Sequence, residues 1–500
     1  MQIEIENIAQ RNKYLSLIKE RAEDSSFAEI KYLDFGVKVI RVMYYTPEII
    51  LFLRQHFSFV LRDNITHFDE TIVFWKETNV AKLASKLDYR FNTSLNFRFR
   101  IQLLQTKMPY PDIFLMDKDF SPIIPLISLK NSLGVAEAYD VENHVCYLGI
   151  TDLAPEELIK WGHLFVQQLN ILLKSEGVNL VHGAILGYNG QGVLLCARGQ
   201  RGKSTLTVHS LLNGCEYVSD DYQLLEQDGN SIYSYPMYSI ITLSPQMYSA
   251  MYDDFEGKFC SNNGRKDKYV FDISKYHNQF KTHYPIKVCL FPEIVNDALP
   301  SIKCCLPEDK GRAIVQMIHS TVLQMRDLND HATIEKLFNM VCHLPFYKFN
   351  LCPHIAENTK YLYQFLTQPL PPVSEQEHLP RFLIDITFDL ANILDTKTFT
   401  FYSLNKFATN LYEMMLSGIT HEQIKERLNV LTAYNAQLID EFDLLVKMFN
   451  EEDLLSAART TSPLKNDLVV DFAKECGYKL SLSRFDKDKT NELINIEQGS

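Results

Sequence analysis

The run from Leu194 to Thr205 constrains the fold of this chain more than any other stretch, because it has the pattern of a strand, a loop and a helix in succession. Val193 to Leu195 are apolar and predict a short buried strand, and Lys203 begins a helix. Backbone N–H groups in such a loop and helix start bind an anion, and the lysine reaches the β- and γ-phosphates of a nucleotide. The hydroxyl of Ser204 is suited to Mg²⁺. The run therefore predicts a phosphate-binding loop.

The match to the G-x-x-x-x-G-K-[ST] pattern is incomplete at its first glycine, where this chain has Ala197. Alanine is compatible with this bend as long as its φ angle stays negative. The alternative is a polar loop that binds no ligand. The strand before the loop and the helix after it are the context that the motif requires, and they favour phosphate binding.

Length and composition limit the other classes of function. A chain of 500 residues predicts about two to four domains, and 46% hydrophobic with 22% charged residues is ordinary for globular proteins. The net charge of −12 argues against a broad nucleic-acid surface. The first residues have no basic segment followed by an apolar run, and no stretch approaches roughly 18 uninterrupted apolar residues. We therefore expect a cytoplasmic protein without a signal peptide or a membrane span.

The ten cysteines are scattered and include no C-x-x-C pair. Cys304 and Cys305 are adjacent, and their side chains would point to opposite faces of a strand. Neither a zinc site nor a disulfide framework is therefore expected, and the thiols are predicted to be reduced.

Residues 1–150 predict a mixed α/β region with no group of residues that indicates chemistry. Its pattern predicts strands at Gly36–Val42, Asp69–Trp75 and Asp112–Met116, and a short helix from Pro47 to Gln55. We expect a sheet that supports the following domain.

Residues 151–367 contain the phosphate-binding loop and the features around it. A helix is predicted from Pro155 to Leu173, followed by a strand over residues 179–186 that contains His182. Asn189-Gly190 predicts a hairpin turn, because this pair supplies the positive φ angles that such a turn needs. The return strand leads into the loop, so His182 lies on the strand paired with it.

Asp220 and Asp221 follow the loop's helix at a predicted strand edge. One carboxylate could hold Mg²⁺ and the other could accept the proton of a hydroxyl group. Two adjacent negative charges should raise one pKa unless a metal compensates. The alternative is a solvated turn before a strand.

The order of these features resembles the HPr serine kinase/phosphorylase family, whose catalytic domain is similar to ATP-dependent phosphoenolpyruvate carboxykinase. The resemblance extends to about residue 367 and looks most like the short kinase homologues found beside gene sets for ribosomally made peptides. It is carried by His182-Gly183-Ala184, the hairpin, Gly199 to Thr205, Ser219-Asp220-Asp221, Tyr235-Pro236, Ser244-Pro245, Lys266 to Tyr269 and Leu344 to Phe349.

The resemblance implies ATP and Mg²⁺ as cofactors. Lys203 and the loop would bind ATP phosphates, Ser204 with one aspartate would hold Mg²⁺, and the other aspartate would be the base. His182 would lie near the transferred phosphoryl group, although a structural strand histidine is an equal alternative. The implied cofactor-binding residues are Gly199, Gln200, Arg201, Gly202, Lys203, Ser204 and Thr205. The implied metal ligands are Ser204, Asp220 and Asp221.

Two departures from the family favour a one-way kinase. Gly199-Gln200 stands where the family usually has Ser-Gly, and the downstream Glu-x-Arg-Gly signature tied to phosphorylase behaviour has no counterpart. A cationic group, Arg265, Lys266 and Lys268, could stabilise a transferring phosphoryl group, but a solvated turn is the favoured interpretation.

Residues 368–380 are rich in proline and predict a stiff linker. Residues 381–456 predict a hairpin, with alternation from Ile384 to Leu390 and a turn at Asp395-Thr396, and then three helices. The second helix opens with the capping box Thr420-His421-Glu422-Gln423. Two strands and three helices predict a winged-helix domain, and residues 457–500 are an unassigned tail.

The winged-helix domain resembles the PqqD family, whose members bind the leader segment of a precursor peptide by strand addition to the sheet edge. DNA binding is the rival interpretation, but a recognition helix should be basic, and the last helix carries Asp440, Glu441 and Asp443.

The chain as a whole thus predicts an α/β (α+β) protein. We expect an HPr-kinase-like P-loop domain with a mixed α/β N-terminal part and a PqqD-like C-terminal domain. The first functional hypothesis is an ATP- and Mg²⁺-dependent kinase for Ser or Thr of a captured precursor peptide. Two alternatives are a nucleotide-gated peptide chaperone without turnover and a serine kinase for another protein. Neither a nucleic acid nor a membrane is expected as a partner, and the resemblance allows a homo-oligomer.

Overall fold

The computed structural model describes most of the chain between residues 15 and 495. The described residues are 15–23, 29–44, 47–76, 126–130, 133–140, 143–150, 166–173, 177–197, 199, 201–245, 247, 258–262, 266–273, 276–325, 331–368, 379–387, 390–404, 406–429, 438–451, 453–456, 481–484 and 494–495.

The chain has an α/β fold built on several sheets. The first sheet has seven strands in the order β3-β1-β2-β4-β7-β6-β5. These strands are β1 (Glu29–Asp34), β2 (Val39–Tyr44), β3 (Leu61–Arg62), β4 (Glu70–Lys76), β5 (Leu126–Lys130), β6 (Leu133–Asp140) and β7 (Val145–Ile150). Helix α1 (Pro47–Phe57) joins β2 to β3.

Three elements predicted for this region are confirmed, namely α1 and the strands near residues 40 and 72. The predicted strand at Asp112–Met116 lies outside the described residues. Within the part of the chain that the structure describes, no helix is both long and apolar enough to cross a membrane.

The central sheet also has seven strands, in the order β11-β10-β8-β9-β15-β17-β16, and β11 additionally pairs with β15. Strands β9, β15 and β17 are parallel, and β8 is antiparallel to β9 and β10. The strands are β8 (Val178–Tyr188), β9 (Gln191–Leu195), β10 (Glu216–Asp228), β11 (Ser231–Pro236), β15 (Tyr284–Ile294), β16 (Ser301–Cys304) and β17 (Phe346–Leu351). A small sheet, β12-β14-β13, consists of β12 (Ile240–Leu243), β13 (Lys258–Asn262) and β14 (Lys266–Asp272).

Five helices accompany the central sheet: α2 (Val166–Leu173), α3 (Lys203–Leu212), α4 (Pro307–Met325), α5 (His331–Val341) and α6 (Ile355–Thr367). Leu206 of α3 packs with Leu362 of α6 and with Leu195 of β9 in one hydrophobic cluster. Helices α4 and α5 share another cluster with residues of β8, β9 and β15. The sheet therefore has a helix layer containing α3 and another containing α4.

The C-terminal part forms a five-stranded sheet in the order β18-β19-β20-β21-β22 together with three helices. The elements are β18 (Phe382–Thr387), β19 (Leu390–Asp395), β20 (Thr400–Leu404), α7 (Lys406–Leu416), α8 (His421–Asn429), α9 (Leu438–Glu451), β21 (Ser481–Arg484) and β22 (Ile494–Asn495). The three predicted helices and the capping box are confirmed. Thr420 N donates to Gln423 Oε1 at 2.9 Å, and Gln423 N donates to Thr420 Oγ1 at 3.3 Å.

The predicted hairpin is instead three strands, because Thr387 pairs opposite Leu390 and the chain reverses between them. Apolar alternation continues through this reversal in the sequence, which lacks the Gly or Asn that usually marks a two-residue turn. Phe399 has φ 55° and lies in the turn before β20.

Helix α4 lies between the central sheet and the C-terminal sheet. Leu383 of β18 belongs to the same buried cluster as Ala313 and Met317 of α4. A Cβ atom on Gly311 would lie 3.1 Å from Leu383 Cδ2, so glycine permits this close approach. Gln316 Nε2 also donates a buried hydrogen bond of 2.8 Å to Asp385 Oδ1. The strand that follows the proline-rich stretch is therefore packed on α4; residues 369–378 of that stretch lie outside the described residues.

Because Leu383 is 1% exposed in this shared cluster, Leu383→Ala should lower the free energy of unfolding by about 2–5 kcal/mol. The measurement is urea denaturation of the full chain, followed by exchange of backbone amides in both α4 and α7. We expect both helices to lose protection at lower urea than in the wild type. A variant in which only α7 is affected would show that the two sheets are not energetically coupled.

Candidate functional site

The loop between β9 and α3 follows directly from a buried strand. Cys196 N donates to Leu290 O at 2.9 Å, so pairing with β15 continues one residue beyond β9. Gly202 has φ 85°, a left-handed angle that favours glycine, and its carbonyl accepts from Leu206 N at 2.9 Å. Helix α3 therefore begins at Lys203 and directs its first free amides into the loop. Arg198 and Gln200 lie outside the described residues.

Lys203 is folded back into the loop that it follows. Its side chain is buried, and Nζ donates to Ala197 O at 2.5 Å. The ammonium group is thereby held within the curve of the loop, which is where a phosphate bound by the helix amides would lie. Arg201, Ser204 and Thr205 are partly exposed around it.

The register of the central sheet brings both aspartates to the start of the loop. Ala184 on β8 pairs with Leu195 on one side and with Asp220 on the other. Beyond this row β9 has ended, while β8 and β10 continue side by side, with Asp221 opposite Gly183 and Tyr222 opposite His182. His182 and Asp221 are therefore next to the beginning of the loop.

The two aspartates differ in burial and in direction. Asp220 is 0% exposed and belongs to a row whose other members, Ala184 and Leu195, pack with α3. Asp220 therefore lies on the side of the sheet that carries Lys203 and Ser204. The side chain of Asp221 is 14% exposed, so its carboxylate reaches the surface.

The charge of Asp220 also affects Tyr217, which is buried on the same strand. Burial raises the pKa of Tyr217 well above its usual range, and the negative charges of Asp220 and Asp221 raise it further. Tyr217 is therefore neutral at any physiological pH, and its hydroxyl keeps its proton.

Asp221 has a left-handed backbone conformation, with φ 62°, in the middle of β10. For a residue other than glycine this conformation is unfavourable by about 1–2 kcal/mol, although aspartate tolerates it better than most. Its carboxylate is held from two sides, because Thr242 Oγ1 donates to Oδ2 at 3.3 Å and His182 Nε2 lies 3.8 Å from Oδ1. Such local strain is common at functional sites.

The hydrogen bonds of His182 determine which ring nitrogen carries a proton. Ser320 Oγ donates its single proton to Met317 O at 3.0 Å, so it accepts from His182 Nδ1 at 3.2 Å. The backbone N–H of His182 donates to Thr321 Oγ1 at 2.9 Å. Since Nδ1 is the donor, Nε2 is the nitrogen without a proton in the neutral ring, and it faces Asp221.

Gly183 permits close packing under the start of the loop. A Cβ atom there would lie 3.0 Å from Leu195 O and 2.9 Å from Gln223 Nε2. Gln223 is completely buried, and neither atom of its amide has a hydrogen-bond partner among the residues that the structure describes. A buried amide without partners is unfavourable by about 1–3 kcal/mol, so a polar group that enters here would be bound favourably.

The residues of the site fit a nucleotide and Mg²⁺. Lys203 and the amides of α3 suit the phosphates, and Ser204 and Asp220 carry oxygen atoms of the kind that Mg²⁺ prefers on one side of the sheet. Among the described residues, no group of three or more His, Cys, Asp or Glu side chains could hold a metal ion by itself. Mg²⁺ commonly binds to one or two protein oxygens and to substrate phosphates.

The structure thus brings together His182, Asp220, Asp221 and the start of the loop. Sequence patterns missed the hydrogen-bond partners of these residues, which are Thr242, Ser320 and Thr321, and the buried Gln223 beside Gly183. Of these residues, only Gln223 could have been found from the sequence, because it lies two residues after Asp221 on the same strand. Arg265 lies outside the described residues, and Lys266 and Lys268 are on β14, paired with β13.

Comparison with known proteins finds similarity among solved structures. The sequence matches no protein-family model and no curated protein. A solved structure, the Hpr(Ser) kinase/phosphatase from Coxiella burnetii, is similar with 12% sequence identity and a TM-score of 0.19. The similarity covers 37% of this chain and 96% of the other. Because these values are low, the chemistry of the site must be argued from its own side chains.

Proposed function

We propose that this protein is a kinase that transfers the γ-phosphoryl group of ATP to a Ser or Thr hydroxyl. The observation that carries the proposal is the position of Asp221. Its side chain reaches the surface beside His182, at the start of the loop that leads into Lys203 and α3. A phosphate-binding loop alone would fit many nucleotide-binding proteins. A carboxylate that can accept a proton next to that loop fits phosphoryl transfer.

In this proposal, Lys203 and the first amides of α3 bind the phosphates and stabilise the charge that develops on the transferring group. When bound, Mg²⁺ would neutralise phosphate charge at Ser204 and Asp220. Asp221 accepts the proton of the acceptor hydroxyl. The oxygen of that hydroxyl bonds to the γ-phosphorus as the bond between the γ-phosphorus and ADP breaks. The proton then passes from Asp221 to Nε2 of His182, whose Nδ1–H donates to Ser320, so that Asp221 is again a carboxylate.

We further propose that the acceptor lies on a precursor peptide captured through its leader by the C-terminal sheet and α7 to α9. Tethering raises the effective concentration of the acceptor, so the catalytic cleft can bind it weakly. The cations of α8 argue against DNA as the ligand. His421 Nε2 and Lys425 Nζ already pair with Asp443 at 2.9 and 2.6 Å, and the hydrogen bond from Lys425 holds the pKa of that carboxyl below its usual range.

The experiment that tests the proposal is incubation of the full chain with γ-labelled ATP, Mg²⁺ and any short precursor peptide that is encoded beside its gene, followed by phosphoamino-acid analysis. Label on Ser or Thr of the peptide is expected. ATP-dependent peptide binding without transfer would instead indicate a nucleotide-gated chaperone. Label only on other proteins of the source cell would indicate a serine kinase with another substrate.

Loss of the Ser320 hydroxyl should weaken catalysis through His182. Ser320→Ala removes the acceptor for His182 Nδ1, so we expect roughly tenfold slower transfer and a displaced pH–rate profile. Ser320→Thr keeps a hydroxyl at this position and should restore both. If the pH profile of Ser320→Ala matches the wild type, His182 takes no part in the proton balance of the site.

A further inference from the structure

The edge of the C-terminal sheet carries a strand from the far end of the chain. Strand β21 pairs antiparallel with β20, with Leu482 opposite Leu404, Ser483 opposite Ser403 and Arg484 opposite Tyr402. Strand β22 then pairs with β21. Since α7, α8 and α9 lie between β20 and β21 in the sequence, this pairing is a long-range addition to the sheet formed by β18, β19 and β20.

Of the two edges of that three-stranded sheet, the β20 edge is the one that accepts a strand. The other outer strand, β18, is packed on α4 through Leu383 and through the hydrogen bond from Gln316 to Asp385. A strand edge presents unpaired N–H and C=O groups that bind any extended chain, largely independently of its side chains. The β20 edge is thus a docking surface for an extended segment.

The segment on this edge is short. Strand β21 has four residues and β22 has two, whereas strands in globular proteins usually have about five or six. A pairing this short is stabilised by few hydrogen bonds, each of which contributes only about 0.5–1.5 kcal/mol net. Its presence therefore depends largely on its covalent connection to the rest of the chain.

We propose that β21 and β22 are a displaceable internal ligand of the β20 edge, which the chain exchanges for an extended peptide. This inference rests on the proposed capture of a precursor peptide. It adds that the peptide must compete with β21 and β22 for the β20 edge. The resident strand, Ser481-Leu482-Ser483-Arg484, defines the ligand chemistry: hydroxyl and aliphatic residues in alternation, followed by a cation.

The first test is amide hydrogen exchange of β20 in the full-length double variant Leu482→Pro/Ser483→Pro. Proline has no N–H, and consecutive residues of β21 direct their N–H groups alternately to β20 and to β22, so the variant weakens both pairings. We expect exchange at residues 402–404 to become at least about tenfold faster. Leu482→Val/Ser483→Thr keeps both donors and should exchange like the wild type. Unchanged exchange in the proline variant would overturn the proposal.

The second test is binding of a fluorescent synthetic peptide with the sequence of residues 479–496. The proline variant should bind it at least about tenfold more tightly than the wild type, whose own tail competes at an effective concentration on the order of millimolar. Equal affinities, or no binding to the proline variant, would contradict a displaceable ligand. Neither test uses ATP. Their results therefore stand or fall independently of whether the protein is a kinase.

Discussion

Replacement of Lys203 by alanine is expected to slow phosphoryl transfer by at least about 10²–10³-fold, the loss found when one preorganised charge-stabilising group is removed. The ammonium group lies in the curve of the loop, 2.5 Å from Ala197 O, and is the cation that the helix start directs at a phosphate. Initial rates of transfer from γ-labelled ATP measure the effect. Binding of a labelled peptide to the C-terminal sheet should not change, because Lys203 belongs to α3 of the central sheet.

Lys287→Ala is the matched control for Lys203→Ala. Lys287 is an exposed residue of β15 on the same sheet, so its loss removes one positive charge without affecting the loop. Thermal unfolding of both variants should be recorded, since Lys203 is buried and its removal leaves the carbonyl of Ala197 without this donor. A folded Lys203→Ala variant that transfers phosphate as fast as Lys287→Ala would show that the loop does not bind the γ-phosphate.

Asp221→Asn should slow transfer by about 10²–10⁴-fold, because the amide cannot accept the proton of the acceptor hydroxyl. Asparagine has the same shape and tolerates the φ angle of 62° at this position, so the free energy of unfolding should change little. Affinity for ATP should also be retained, since Asp221 faces His182 and Thr242 while Lys203 and Ser204 belong to α3. Single-turnover rates and nucleotide titration separate the two effects.

Asp221→Ala provides the comparison for Asp221→Asn. It should lose transfer to the same extent, and it should also unfold more easily by about 1–2 kcal/mol, because alanine is less favourable in a left-handed conformation. If Asp221→Asn remains active while Asp220→Asn is inactive, the base is the buried aspartate and the proposed roles of the two residues are reversed.

Local features of the site could be predicted from sequence because their causes are local. Asn189 and Gly190 adopt φ angles of 49° and 75°, as the hairpin requires, and the predicted strand up to Leu195 and the helix that begins at Lys203 are confirmed. The capping box at Thr420 is confirmed for the same reason, since both of its hydrogen bonds join residues three apart. The roles assigned to these residues remain predictions.

Features that depend on distant residues could not be predicted. Ser320 is 138 residues from His182, and no periodicity in α4 indicates that its hydroxyl faces a strand histidine. The left-handed angle of Asp221 arises in the middle of a strand, where no sequence pattern indicates it. The pairing of β21 with β20 joins segments separated by three helices, and backbone pairing leaves little trace in side-chain patterns.

The claim that the loop from Cys196 to Ser204 binds the phosphates of ATP beside Asp221 is tested most directly by hydrogen exchange of the full chain with and without ATP and Mg²⁺. We predict slower exchange at amides 201–206 and 219–222 in the wild type and no such change in Lys203→Ala. Protection confined to other parts of the chain, or protection that persists in Lys203→Ala, would contradict this account.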